Sequence, residues 1–301
     1  MRFSSEYKYF RRKRDDKMKF KEPIFVIGVS RSGTSILSEL ITQHKDTAYF
    51  ENYSSYLYKH PGLFRFIPLL KKYQKFRYKI DRPKRSEGWV WDRFFNQLEH
   101  LDESHATEEI KNYYYNAIEH QLRAFNATRF VVDNPRNCMR IRWLNRMFPN
   151  AFYIIISRDK KSVISSMYQQ LKRKKEMRGD KFLDGPNNLR GYGHIKKMLG
   201  KNCSDLQTCI NYYELYRNTL NKDLPIVSDR AKTINYEEFV LHSRDTIKKV
   251  FEFIHLQWYD ELNKLIPENL QIHYNEKWKL LPDNEKKILL EYCENKNVEM
   301  N

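Results

Sequence analysis

Eight residues, Gly28-Val29-Ser30-Arg31-Ser32-Gly33-Thr34-Ser35, stand between a run that reads as a buried strand and a run that reads as an amphipathic helix. The first run, Ile24 to Ile27, is apolar and β-branched apart from Phe25, as expected for a parallel strand covered on both faces. The second, Thr34 to His44, places Ile36, Leu37, Leu40 and Ile41 on one helical face. A glycine-bounded loop at such a junction turns successive backbone N–H groups, and the positive end of the helix dipole, toward one spot. That spot suits a phosphate.

The rest of the chain repeats the alternation. Phe130 to Val132 reads as a strand ending at Asp133; Pro135 then stands where a helix can start, and Ile141, Leu144 and Phe148 recur at helical spacing before Pro149. Phe152 to Ile156 is continuously apolar and leads through Arg158 into a helix with Val163, Ile164, Met167 and Leu171 on one side. The expected fold is therefore one three-layer α/β domain, with a central, mainly parallel sheet, helices on both faces and a P-loop NTPase-like arrangement. A length of 301 residues suits one such domain, taken as 23–301. Residues 1–22 carry Arg11, Arg12, Lys13, Arg14, Lys17, Lys19 and Lys21 ahead of Pro23 and read as a basic flexible arm. Residues 53–100, rich in aromatic and basic side chains, read as a helical insertion beside the site. Residues 178–200 hold five of the nine glycines and read as a mobile lid.

The balance of 55 Lys and Arg against 38 Asp and Glu gives a net charge of +17, which attracts phosphates, anionic lipids or acidic polymers without choosing among them. Four cysteines lack zinc-site spacing and are too sparse for a disulfide scaffold. No apolar stretch is long enough to span a bilayer and no signal peptide is visible. These features place the chain in the cytoplasm, with peripheral contact to an anionic membrane left open and no specific nucleic-acid partner expected.

The loop nearly matches the nucleotide-binding pattern G-x-x-x-x-G-K-[ST], but Thr34 stands where that pattern has its lysine. Without the lysine, ordinary ATP hydrolysis loses its main contact to the β- and γ-phosphates. A cation remains at Arg31. Arg31-Ser32-Gly33-Thr34-Ser35 resembles the 5′-phosphosulfate loop of the sulfotransferases that use 3′-phosphoadenosine 5′-phosphosulfate (PAPS), and Arg158 and Ser166 are spaced as that family's 3′-phosphate ligands are. A guanidinium fork and a serine hydroxyl suit a phosphate. Thr233-Ile-Asn-Tyr-Glu-Glu-Phe239 looks like the family's strand ending in Tyr-Glu, and Asp133 through Pro149 resembles its segment before the 3′-phosphate strand, with Asn134 where many members have Lys. The likeness runs from about Ile24 to Phe253, with a looser echo at Lys277-Trp278-Lys279.

The resemblance implies that Ser30, Arg31, Ser32, Gly33, Thr34 and Ser35 hold the phosphosulfate, that Arg158 and Ser166 hold the 3′-phosphate, and that Tyr236 lies beside the adenine. It implies transfer of a sulfuryl group to an acceptor hydroxyl or amine, with release of 3′-phosphoadenosine 5′-phosphate (PAP) and no metal ion. Arg31 is expected to neutralise the leaving oxygen and Glu51 to take the acceptor's proton, with Glu87 and His105 as rivals for that second role. Aromatic side chains and positive charge point to a carbohydrate or glycolipid acceptor, with protein tyrosine and a small alcohol as the alternatives. Two other readings stay open at this stage. One is a P-loop kinase or NTPase with Asp133 as its acidic partner, and the other is a non-enzymatic basic protein that binds nucleic acid or membrane.

Overall fold

The computed structural model describes residues 22–50, 54, 57–66, 88–91, 93–95, 100–178, 203–270 and 276–295. Among the described residues five strands form one sheet: β1 (Ile24–Ile27), β2 (Thr47–Ala48), β3 (Arg129–Val132), β4 (Phe152–Ser157) and β5 (Ala231–Asn235). Their order is β2-β3-β1-β4-β5, and every neighbouring pair runs parallel. The chain leaves central β1 for an edge and later crosses to β4 on its other side. In an open sheet wound this way the carboxyl end of β1 opens a crevice between diverging connections.

Side chains alternate along the strands between two separate cores, which is the physical reason for three layers. Phe25, Ile27, Phe130, Val132, Tyr153 and Ile155 enter one core. They meet α2 (Glu108–Phe125), α3 (Ile141–Met147), α4 (Lys160–Arg178), α5 (Asp205–Asp223) and the carboxyl-terminal helix α8 (Asp283–Asn295). Ile24, Val26, Val131, Ile154 and Ile156 enter the other core. There they pack against α1 (Thr34–Ile41), α6 (Tyr236–Leu241) and α7 (Ser243–Phe253). The sheet, its parallel sense and the two helical layers are as the sequence implies.

Two details differ. The first helix stops at Ile41 instead of reaching His44, because Thr42 caps its end and His44 turns inward, where its Nε2 hydrogen-bonds the Gln257 carbonyl at 3.0 Å. The segment after β3 is a 3-10 turn, Pro135–Met139, before α3 begins, with Asn134 capping it by accepting the Arg136 N–H at 3.1 Å. Within the 53–100 region, Phe64 and Trp91 are wholly buried, and Trp91 stacks on Tyr114 at 4.9 Å. They serve the core rather than an acceptor cleft, since a fully desolvated indole adds packing surface and not a contact face. Residues 1–21 of the basic arm, most of 53–100 and all but Arg178 of 178–200 lie outside the described residues.

Candidate donor-binding site

The site grows from the way β1 ends against β4. Ile27 is paired with Ile155, so Gly28 passes beside Ile156. A side chain at position 28 would meet Ser32 Oγ at 2.5 Å and the Ile156 Cγ2 at 2.7 Å, so the chain leaves the sheet here only as glycine. The turn that follows is closed by Ser32, whose N–H donates to the Val29 carbonyl at 3.1 Å and whose hydroxyl donates to the same oxygen at 2.6 Å. Arg31 sits in the left-handed region with φ 75°, as does Gly33 with φ 104°. A left-handed non-glycine residue is strained by about 1–2 kcal/mol, and such strain persists where the surroundings hold it.

Gly33 precedes α1, which has no side-chain cap and no acidic residue in its first turn. Its leading N–H groups therefore face the loop without a built-in carboxylate or hydroxyl acceptor at the cap. Ser30, Ser32 and Thr34 are buried, whereas Arg31 and Ser35 are exposed. The junction thus presents backbone donors with one cation at its rim.

The neighbouring strand supplies the second element. Beyond β4, the Arg158 guanidinium donates from Nη1 to the Arg31 carbonyl at 3.0 Å and lies 4.1 Å from the centroid of the Tyr236 ring. Arg31 reaches back, donating from Nε to the Ser166 hydroxyl on α4 at 3.1 Å. Asp159 caps α4 by accepting the Ser162 N–H at 3.0 Å and its hydroxyl at 2.7 Å, and the Asp159 N–H donates to Glu237 at 3.2 Å. Parallel pairing of Ser157 with Asn235 sets these two junctions side by side. Arg31, Arg158, Ser166 and Tyr236, distant in sequence, therefore form one connected patch on the carboxyl edge of the sheet.

A family profile described as the sulfotransferase family matches residues 23–260. The chain belongs to the sulfotransferase family. Among curated proteins it is 20% identical over 240 residues to the zebrafish (Danio rerio) protein-tyrosine sulfotransferase 1, covering 79% of this chain and 54% of that one. It thus spans about half the length of that relative. Two solved sulfotransferases share the fold at 14% identity. STF9 from Mycobacterium avium matches with a TM-score of 0.53 over 92% of this chain and 77% of its own. STF1 from Mycobacterium tuberculosis matches with 0.54 over 82% and 71%.

Within this sulfotransferase-family chain, the residues singled out for proton transfer fare differently from those singled out for the donor. Glu51 and Glu87 lie outside the described residues. His105 hydrogen-bonds Asp102 through Nδ1 at 2.9 Å and packs edge-on to Phe95 at 6.1 Å, capping a 3-10 turn. Hydrogen bonds from Ser104 and His105 hold the Asp102 carboxyl down at about 2. None of these contacts joins His105 to the loop or to Arg158.

Two neighbours of the loop escaped the sequence reading. Tyr212 on α5 brings its hydroxyl to 3.5 Å from Ser30 Oγ and stacks on Tyr216 at 4.2 Å. Its only sequence signal was the i,i+4 tyrosine pair, which reads equally well as core. Cys138, in the turn after β3, is fully buried, and that burial pushes its thiol up to about 12. It is a packed, protonated group at neutral pH and not a nucleophile.

Proposed function

We propose that the chain transfers a sulfuryl group from PAPS to a hydroxyl-bearing acceptor and releases PAP. The observation that supports this reading is the pairing of two anion-seeking junctions, the loop after β1 and the Arg158–Ser166 element after β4, in one hydrogen-bonded patch. A nucleotide with phosphates at both 5′ and 3′ ends needs two such seats; an ordinary nucleoside triphosphate needs one and a lysine in the loop. The residues present fit the donor's chemistry, because an uncapped helix start and a loop that admits only glycine at position 28 favour close approach of an oxyanion.

In this reading Ser30 to Ser35 cradle the phosphosulfate and orient its sulfur. Arg158 and Ser166 hold the 3′-phosphate. Arg31, anchored on Ser166, offsets the charge that develops on the 5′-phosphate oxygen as the S–O bond breaks. A carboxylate supplied by Glu51 accepts the proton that the attacking hydroxyl loses. Fixed donors then do the work that a cation does in phosphoryl transfer.

Two classes of acceptor have specific support. Aromatic and basic residues of 53–100 suit a carbohydrate or glycolipid, while the zebrafish relative's name points to a tyrosyl phenol. The net charge of +17 suits acidic examples of either. The reading is tested by calorimetric titration with PAP, 5′-AMP and ATP. PAP is expected to bind at least tenfold more tightly than AMP, since a charge-assisted hydrogen bond contributes roughly 1.5–3 kcal/mol. Equal affinities would remove the assignment, and magnesium-dependent ATP turnover would replace it with a kinase or NTPase. Transfer of radiolabelled sulfate from PAPS to sulfated-glycan precursors and to tyrosine peptides then separates the acceptor classes.

A further inference from the structure

We propose that Tyr236 is a positioning residue that sets the discrimination between PAP and AMP by holding Arg158, without stacking on the nucleotide base. The proposal rests on the donor assignment above. Only 5% of Tyr236 is exposed, so little of its ring remains for a ligand. What covers it is specific. The Arg158 guanidinium carbon stands 4.1 Å from the ring centroid, a cation–π contact. A Cβ built on Gly33 would meet both Cδ2 and Cε2 of the ring at 2.6 Å, so the ring fills the space that a side chain at position 33 would need.

The ring is itself held from behind. Tyr236 is the first residue of α6, whose start is capped by Asn235, with its side-chain oxygen accepting the Glu238 N–H at 2.9 Å. Pairing of β5 with β4 and the Asp159 N–H to Glu237 bond at 3.2 Å tie this junction to the one that carries Arg158. Arg158 is thus gripped at two points, the Tyr236 face and the Arg31 carbonyl. A long cationic side chain on a surface otherwise samples many rotamers, and fixing it beforehand lowers the entropy lost when a phosphate binds. The same ring, pressed on Gly33, links the guanidinium to the left-handed turn of the phosphosulfate loop. Tyr236 therefore acts on the donor's 3′ end by holding a protein group.

The test compares wild type, Tyr236→Phe and Tyr236→Leu by calorimetric titration with PAP and 5′-AMP, with thermal melting as the check on folding. Wild type is expected to prefer PAP at least tenfold. Tyr236→Phe keeps the ring and is expected to hold that ratio within twofold; Tyr236→Leu is expected to bring it below threefold while AMP affinity shifts by less than threefold. No preference in wild type would sink the donor assignment itself. A normal wild-type preference that survives in Tyr236→Leu would overturn the positioning role alone. So would an equal loss of PAP and AMP affinity, which marks stacking on the base or a merely structural role. If Tyr236→Leu fails to fold, Tyr236→Phe decides: retention of the ratio supports the ring, and its loss at a native melting temperature overturns the proposal.

Discussion

Arg31 is asked to do two things that pull against each other, and a pair of substitutions separates them. Its φ of 75° is unfavourable for any residue with a Cβ, and its side chain donates to Ser166 at 3.1 Å. Arg31→Ala and Arg31→Gly both remove the side-chain bond, so the difference between them isolates the backbone. Relief of left-handed strain favours glycine by about 1–2 kcal/mol. The greater freedom of glycine in the unfolded chain offsets about 0.5–1 kcal/mol of that. At the middle of both ranges the remainder, about 0.75 kcal/mol, corresponds to a melting temperature roughly 1 °C higher for Arg31→Gly than for Arg31→Ala in a chain of this size. Differential scanning fluorimetry resolves such a gap.

Activity should not follow stability. Both variants should lose about 10²- to 10³-fold in kcat for sulfuryl transfer, as when a donor to a developing oxyanion is removed, while PAP affinity falls by less than about tenfold. The more stable variant would then be as inactive as the less stable one, the signature of strain held for function. A higher melting temperature for Arg31→Ala than for Arg31→Gly would refute the left-handed turn. Wild-type kcat with a raised KM in both would show that Arg31 assists binding and does not act on the leaving oxygen.

Gly28→Ala pushes a methyl group against Ser32 and the Ile156 side chain and carbonyl at 2.5–3.0 Å, so it should destabilise by about 1–3 kcal/mol and weaken PAP binding; an unchanged melting temperature would contradict the close approach. Glu51→Gln should lower kcat by roughly 10²- to 10⁴-fold with PAP affinity preserved; retained turnover together with a collapse in Glu87→Gln or His105→Ala would transfer the base. Burial holds His44 below its ordinary 6.5, and its neutral form bridges the Gln257 carbonyl and the Asp46 N–H. Because the unfolded chain takes up this proton first, His44's contribution to stability should be complete above 6.5 and decline as pH falls below it; a His44→Gln variant should show a shallower acid slope in urea titrations, and an identical slope would refute the assignment. EDTA should leave transfer activity unchanged, since Arg31 and the loop amides supply the positive charge, and restoration by added magnesium would bring back the kinase reading.

Local sequence determined the parts of this protein whose conformation follows from near neighbours. Ile24 to Ile27 could only be a buried strand, Gly28 and Gly33 marked where the backbone needed room or a positive φ, and the Val163, Ile164, Met167 and Leu171 stripe announced a helix on the sheet. From these the parallel α/β architecture was legible, and so was the place of each half of the Arg31–Arg158 patch, since each sits just beyond a strand. What local pattern did not carry was how the halves touch. The bonds from Arg158 to the Arg31 carbonyl and from Arg31 to Ser166 span more than a hundred residues each, and they exist because β1 and β4 lie side by side in the sheet. The resemblance puts Tyr236 beside the adenine; that its ring also presses on Gly33 and faces Arg158 follows from the pairing of β5 with β4, which no local pattern carries. Phe64 and Trp91 fall in the aromatic 53–100 region, yet they pack into the core that holds Phe25 and Ile27, because aromatic side chains have the same composition signature in a cleft and in a core. Sequence therefore set what each junction can offer an anion; only strand order, which brings separate junctions to one edge, decided that they lie side by side.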